Sequence, residues 1–228
     1  MKKKLTIFLM LIVSVFSLVA CGKSEINLNQ NLIEERNSLF TANDEIYTVT
    51  LSSGKREQDY ALDGVVNPLV DFAVLTLSRN NSNPLANDTY SYTISINENV
   101  YSGELIKSPT DNSYSVDLEI CIPADAVINA KIDFTGYRFD KNLENVSNNF
   151  NIDKNKAIEI ATNELKTELQ NLISTKNNSF EVVMKLLKDH SDSELKTYYW
   201  YIGIVATNGE TLGILIDTNT GDIIAKKV

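Results

Sequence analysis

A switch of hydrophobic period near residue 150 constrains the fold of this chain more than any other sequence feature. Before the switch, residues 45–140 alternate between apolar and polar side chains in short runs separated by turn residues. The clearest run places five apolar side chains on one face: Tyr114, Val116, Leu118, Ile120 and Ile122. Alternation with a period of two indicates half-buried β-strands. We therefore expect several short antiparallel strands in this part of the chain.

After the Asn-rich residues 141–150 the pattern becomes helical. Asp153 can cap a helix, and apolar residues then recur at helical spacing: Ile158, Ala161, Leu165, Leu169 and Leu172. The helix is predicted to end near Ser174. Strand patterns follow at residues 180–187, 197–206, 211–217 and 223–228. This half of the chain therefore combines one helix with a small sheet.

Together the two patterns predict a two-part architecture. Residues 45–140 would form an antiparallel β-sandwich, immunoglobulin-like in general shape. Residues 141–150 would be a linker, and residues 151–228 a small α+β domain in which the helix packs on an antiparallel sheet. The polar, Asn-rich residues 21–44 would be a tether that precedes the sandwich.

The strands at 197–206 and 211–217 are joined by Asn208-Gly209, a strong signal for a two-residue hairpin loop. Such a loop would pair Tyr201 with Ile216 and would turn one apolar face toward the helix. The opposite face would then hold Trp200, Ile202, Ile204 and Leu215. Because this second face is too apolar for open water, either the β-sandwich or a partner protein is expected to cover it. These four residues are the candidate partner-binding residues.

The first twenty residues have the layout of a secretory signal peptide. Lys2, Lys3 and Lys4 precede an apolar run at residues 5–20 that is short for a membrane-spanning helix. The run ends in Leu-Val-Ala-Cys-Gly at residues 18–22, which resembles the lipobox of bacterial lipoproteins. The resemblance implies cleavage before Cys21 and a diacylglyceryl group on its thiol. The protein would then work outside the cytoplasm, anchored to the bacterial cell membrane; the alternative is an ordinary signal peptide.

Charge excludes one class of partner. The chain has a formal net charge of −9, and removal of the three lysines of the signal peptide makes it −12. An acidic chain of this kind repels phosphate backbones, so we expect no nucleic-acid partner.

The last third of the chain resembles a known domain family. Residues 152–161 (Ile-Asp-Lys-Asn-Lys-Ala-Ile-Glu-Ile-Ala) look like the capped opening helix of PepSY domains. Residues 198–209 and 216–223 look like the closing hairpins of that family, in which a strand ends in Asp and a turn with Gly follows. The resemblance covers about residues 151–228. It implies an extracytoplasmic α+β domain without catalytic residues, in a family associated with modulation of peptidases.

Candidate catalytic and metal-binding residues are weak. His190 is the single histidine and lies in a polar stretch, and Ser193 and Lys196 form a Ser-x-x-Lys without the partner motifs of penicillin-binding enzymes. Residues 217–222 resemble a calcium loop, but the glycine is misplaced and the bidentate Glu is missing, so we interpret them as a turn. Cys121 would be a small packed residue or a reactive thiol. We expect no enzyme activity, no metal and no cofactor.

These observations favour a lipid-anchored binding module that lacks a catalytic site and binds an unknown protein or peptide. Modulation of a peptidase is one version of this function. A structural lipoprotein of the cell wall, or an adhesin, is the alternative.

We predict that Cys21→Ala abolishes lipidation, because the thiol is the atom that the lipid alkylates. Metabolic labelling with a clickable fatty acid should label the wild-type protein and leave the variant unlabelled. Cys121→Ser is the matched control and should retain the label. Equal labelling of Cys21→Ala and wild type would refute the lipobox interpretation.

Overall fold

The computed structural model describes residues 26–58, 63–80, 85–109, 112–174, 179–188 and 197–228. Twelve strands in these residues form one continuous sheet. In chain order the first eight are β1 (Leu32–Asn43), β2 (Tyr47–Glu57), β3 (Leu69–Arg79), β4 (Tyr90–Ile96), β5 (Asn99–Lys107), β6 (Tyr114–Leu118), β7 (Ile128–Phe134) and β8 (Tyr137–Asn145). The last four are β9 (Phe180–Lys188), β10 (Tyr198–Ala206), β11 (Thr211–Asp217) and β12 (Ile223–Lys227).

Eight of the strands close into an antiparallel barrel. Their order is β1-β2-β3-β6-β5-β4-β7-β8, and β8 pairs back onto β1 through Phe40 with Asn145 and Thr41 with Glu144. The barrel is filled by inward apolar side chains, among them Phe40, Leu51, Leu75, Tyr90, Ile94, Ile132 and Phe139. The prediction of a β-sandwich is therefore wrong. Alternating strands are common to sandwiches and barrels, and the pairing of β8 with β1 that closes the sheet leaves no mark on local sequence.

β1 also carries the sheet out of the barrel. Its first half pairs in parallel with β9, from Leu32 opposite Val182 to Arg36 opposite Lys185, and β10, β11 and β12 then continue the sheet. The described residues contain two α-helices, α1 (Lys154–Glu164) and α2 (Lys166–Ser174), which pack on one face of these strands. The prediction of a separate α+β domain after a sandwich is thus wrong, because one sheet runs through both halves of the chain.

The predicted tether at residues 21–44 is wrong from Leu28 onward. Leu28 is fully buried in a short 3₁₀ helix, Leu28–Asn31, and β1 follows it directly. Residues 21–25 lie outside the described residues. The alternation that would reveal β1 is broken by bulges after Leu32 and after Arg36. Likewise residues 141–145 of the predicted linker are the end of β8, and Ser147–Asn149 forms a second 3₁₀ helix.

β1 also contains charged residues that are buried in the fold, so its sequence is similar to that of a surface segment. Glu34 is 4% exposed, and its carboxylate accepts a 2.6 Å bond from Arg36 Nε and lies 3.3 Å from Lys185 Nζ. Glu35 points toward the helices, where Lys154 Nζ on α1 donates to it over 2.7 Å. Each buried carboxylate therefore has a cationic partner, as burial of charge requires.

The predicted cap and apolar stripe of the helix are confirmed, but the single predicted helix is divided at Leu165 into α1 and α2. Asp153 accepts a hydrogen bond from the backbone N–H of Lys156 over 2.8 Å and caps α1. The predicted stripe of Ile158, Ala161, Leu165, Leu169 and Leu172 is buried against the sheet. The predicted strands at residues 197–206 and 211–217 correspond to β10 and β11.

Gly54 is needed where the backbones of β1 and β2 leave no room for a side chain. It lies opposite Arg36 beside the bulge of β1, and a Cβ at this position would overlap the carbonyl oxygen of Glu35. We predict that Gly54→Ala lowers the free energy of unfolding by about 3 kcal/mol, because β1 must move away from β2. Urea unfolding of the mature protein measures the loss.

Gly213→Ala is the matched control for Gly54→Ala. A Cβ on Gly213 would lie 3.7 Å from its nearest neighbour, an ordinary contact, so stability should change by no more than about 0.5 kcal/mol. Equal unfolding midpoints for the two variants would contradict the role given to Gly54.

Candidate binding face

The hairpin between β10 and β11 has a different loop from the predicted one. Gly209 N–H donates to the carbonyl of Ala206, and Ala206 N–H donates to the carbonyl of Glu210, both over 2.9 Å. The loop thus has three residues, with Gly209 at a φ of 88°. Tyr201 consequently pairs with Leu215 instead of Ile216. A shift of one residue on one strand moves the side chains of that strand to the other face.

The candidate residues are therefore placed differently from the sequence prediction. Trp200, Ile202 and Ile204 face the helices, are at most 2% exposed, and belong to the core that α1 and α2 cover. Trp200 Nε1 donates to the carbonyl of Ile152 over 2.8 Å. Leu215 lies on the opposite face, across from Tyr201. These four residues do not form one surface, and the three buried ones are core residues.

We call the face of β9–β12 that lies away from the helices the open face. Its side chains on the two central strands are Tyr199, Tyr201, Val205, Thr211, Leu215 and Asp217, with Gly203 opposite Gly213 between them. The ring of Tyr201 lies over this glycine pair, since a Cβ on Gly203 would be 2.7 Å from Tyr201 Oη and 3.0 Å from the ring. An aromatic ring beside a strand glycine replaces the packing that the glycine lacks.

The glycine pair forms the floor of an open groove of about 460 Å³. Tyr201, Val205, Leu215 and Ala225 line it with apolar atoms, and Thr211 adds a hydroxyl. Lys226 and Lys227 are the charged residues in its lining, but Lys226 lies opposite Ile214 on the helix side of the sheet, so Lys227 is the lining residue that presents a positive charge to the groove. Lys226 is paired with Glu164 and Glu168, whereas Lys227 Nζ donates to the Thr211 hydroxyl over 2.7 Å.

Sequence reasoning missed Tyr201, Gly203 and Gly213. A signal was present, because an isolated glycine in a strand often marks a close approach to the backbone. Here both strands carry one, and only the correct register shows that the two are opposite each other.

A loop after β2 closes one end of the open face. Gly64 lies against Ser179 and Thr207 and has a φ of 80°, and its backbone N–H donates to the carboxylate of Glu181. The carboxylate of Glu57 likewise accepts a hydrogen bond from the backbone N–H of Asn67. Both glutamates are at most 1% exposed, and the Oε2 atom of each has no hydrogen-bond partner among the described residues. The segment 63–68 is thereby fixed over the start of β9.

The free edge of the sheet is protected against pairing with another strand. β12 has five residues, ends in Lys226 and Lys227, and contains a register shift opposite Leu215 and Ile216. Short length, lysines and bulges are the features by which proteins block edge pairing. The groove is therefore a better candidate for a binding site than the edge.

Asp44 and a group of aromatic side chains close the barrel at the end where β1 finishes. We call this end the aromatic end. It contains five packed rings: Tyr47, Tyr90, Tyr114, Phe134 and Tyr137. Asp44 accepts a 2.5 Å hydrogen bond from Tyr137 Oη and two of 2.7 Å from the backbone N–H groups of Ile46 and Tyr47. Burial opposes ionisation, but these donors outweigh it and lower the pKa of Asp44 below 3.8. The hydrogen bond to Asp44, reinforced by burial, raises the pKa of Tyr137 to about 12.

Of the remaining candidate residues, the structure describes Cys121 and the turn at residues 217–222. Cys121 is a free, exposed cysteine after the end of β6 and is not the packed residue that was one of its two interpretations. The turn prediction for residues 217–222 is confirmed, because Asp217 Oδ1 accepts from the N–H groups of Asn219 and Thr220. His190, Ser193 and Lys196, like Cys21, lie outside the described residues. Within the described ranges, no three His, Cys, Asp or Glu side chains are grouped to hold a metal ion.

Comparison with known proteins found no match: no family model, no curated protein and no solved structure is similar to this chain. The similarity to PepSY domains therefore remains a resemblance of sequence pattern. In the part of the chain that the structure describes, no helix has the length and apolar character needed to cross a membrane.

We predict that Tyr137→Phe lowers the free energy of unfolding by about 2 kcal/mol at pH 7, because a hydrogen bond to an ionised carboxylate is lost. The low pKa of Asp44 means that its contribution is complete above the unfolded pKa and disappears as the pH falls below about 4. The penalty of Tyr137→Phe should therefore shrink at pH 3. It should also shrink as the pH rises from 10 toward 12, where wild-type Tyr137 ionises.

Urea unfolding across this pH range tests the prediction, with Tyr101→Phe on β5 as the control. A penalty for Tyr137→Phe that is equally large at pH 3 and pH 7 would show that the Asp44 interaction is not its source.

Proposed function

We propose that this protein is a lipid-anchored extracytoplasmic module that binds an acidic segment of a protein or peptide in the groove of the open face. The observation that carries the proposal is the uncovered groove over Gly203 and Gly213. The membrane anchor is the lipid expected on Cys21. The module acts by binding and not by catalysis.

The chemistry of the groove selects the occupant. The groove has room for one large apolar side chain against the Tyr201 ring, which is 36% exposed. Burial of such a side chain is favourable by about 1.5 to 3 kcal/mol. Lys227, which has no carboxylate partner among the described residues, borders the same groove and favours Asp or Glu beside the apolar residue. An apolar residue flanked by an acidic one is therefore the expected motif.

Modulation of a peptidase is one version of this function, and it rests on the resemblance to PepSY domains alone. A structural lipoprotein of the cell wall is the competing function. A structural role would not require the groove, so a variant that fills the groove distinguishes the two functions.

A displayed peptide library selected against the mature protein tests the proposal. Enriched peptides should contain a large aliphatic or aromatic residue next to Asp or Glu. Calorimetry should show about tenfold weaker binding to Gly213→Leu, which fills the groove, equivalent to about 1.4 kcal/mol. Lys227→Gln should weaken binding less, and Val100→Ser on the barrel should have no effect.

Thermal unfolding of Gly213→Leu checks that the variant is folded. Undiminished peptide binding to a folded Gly213→Leu would refute the groove as the binding site. Attachment of the protein to isolated cell wall, equally strong in wild type and Gly213→Leu, would instead support the structural role.

A further inference from the structure

The distance between the lipid and the folded body is short. Four residues separate Cys21 from Ile26, where the described chain begins, and the five residue steps between them span at most roughly 18 Å. The body starts immediately: Asn27 caps the 3₁₀ helix, Leu28 is fully buried, and Asn31 Nδ2 donates to the carbonyl of Phe180 over 2.7 Å. If Cys21 carries a lipid, whatever surrounds Ile26 must lie close to the bilayer.

Strand directions show what surrounds Ile26. Because β1 and β9 are parallel, both begin at the same end of the sheet, which we call the near end. β10 ends there, since Phe180 pairs with Ala206, and residues 207–210, which comprise the three-residue loop and Glu210, follow. The segment 63–68 also lies there: Thr207 N–H donates to the carbonyl of Ser179 over 3.0 Å, and Gly64 contacts both residues.

The exposed groups of the near end suit contact with lipid. Val65 and Val66 in the segment 63–68 are 58% and 39% exposed. The nearby carboxylates of Glu57 and Glu181 are buried and point inward to hold this segment. Lys227 adds a positive charge, whereas Asp63 and Glu210 are exposed acids. The mixed charge indicates that apolar contact and the lipid, not electrostatic attraction, would keep this end at the membrane.

The aromatic end lies at the opposite end of β1. Eleven residue steps separate Leu32 from Asn43, which corresponds to roughly 36 Å of strand. Asp44 follows directly and bonds Tyr137. One strand thus connects the two ends of the molecule and fixes their separation.

We propose that the near end of the sheet lies against the bilayer that holds the Cys21 lipid, with the aromatic end directed away from it. This inference rests on the lipid anchor of the proposed function but not on the groove. It assigns the segment 63–68 and residues 207–210 as the membrane-facing surface.

Fluorescence quenching on vesicles tests the orientation. The lipidated protein carries Cys121→Ser, which removes the free thiol. A fluorophore is attached to Glu210→Cys at the near end or to Glu45→Cys at the aromatic end. Both positions are exposed and both variants remove one negative charge. Phosphatidylglycerol vesicles that contain a headgroup spin-labelled lipid serve as the quencher. We expect the Glu210→Cys probe to lose most of its emission and the Glu45→Cys probe to lose little.

Equal quenching of both probes, or stronger quenching at Glu45→Cys, would overturn the orientation. An insertion of about ten Gly and Ser residues after Lys23 adds roughly 35 Å of reach and should reduce quenching at Glu210→Cys. Unchanged quenching after this insertion would overturn the argument from tether length.

Mass spectrometry of the same sample distinguishes this failure from that of the proposed function. Protein without a diacylglyceryl group on Cys21 would refute the anchor and the orientation together. Lipidated protein with equal quenching would refute the orientation alone and would leave peptide binding in the groove intact.

Discussion

Every other part of this structure depends on the double pairing of β1. On one edge β1 pairs with β2 from Glu34 to Asn43; on the other, its first half pairs with β9 and its second half with β8. The pairing with β9 extends the sheet toward the helices, and the pairing with β8 closes the barrel. Loss of β1 would therefore open the barrel and separate the two hydrophobic cores, to which it contributes Leu32 and Leu39 on one side and Phe40 on the other.

β1 achieves this with an unusual sequence for a central strand. Two bulges let its side chains change face along its length, and Gly54 on β2 accommodates the close approach of the backbone beside Arg36. Its buried carboxylates are each matched by a cation from a different element, Lys185 of β9 for Glu34 and Lys154 of α1 for Glu35. A buried ion pair contributes little net stability, but removal of one partner is costly, so these pairs specify which strands and helix must meet β1.

The open face follows from the same arrangement. The helices cover one side of β9–β11 because Trp200, Ile202 and Ile204 supply a large apolar surface there. On the other side the glycine pair and Tyr201 leave a groove, while the segment 63–68 closes the end near Glu181. The barrel and the helices thus determine which side of this sheet is available to a partner.

The sequence by itself determined the local elements. Period-two alternation identified β10 and β11, helical spacing and Asp153 identified α1 and its start, and Asn208-Gly209 identified a hairpin, because these depend on neighbours in the chain. Three features were decided by tertiary structure alone. Barrel closure depends on the contact of Phe40 with Asn145, more than a hundred residues away. β1 is a strand because its charges meet Lys154 and Lys185 in the fold. The register of the hairpin, and with it the face that carries Trp200, depends on one extra loop residue, since a one-residue shift exchanges the two faces of a strand.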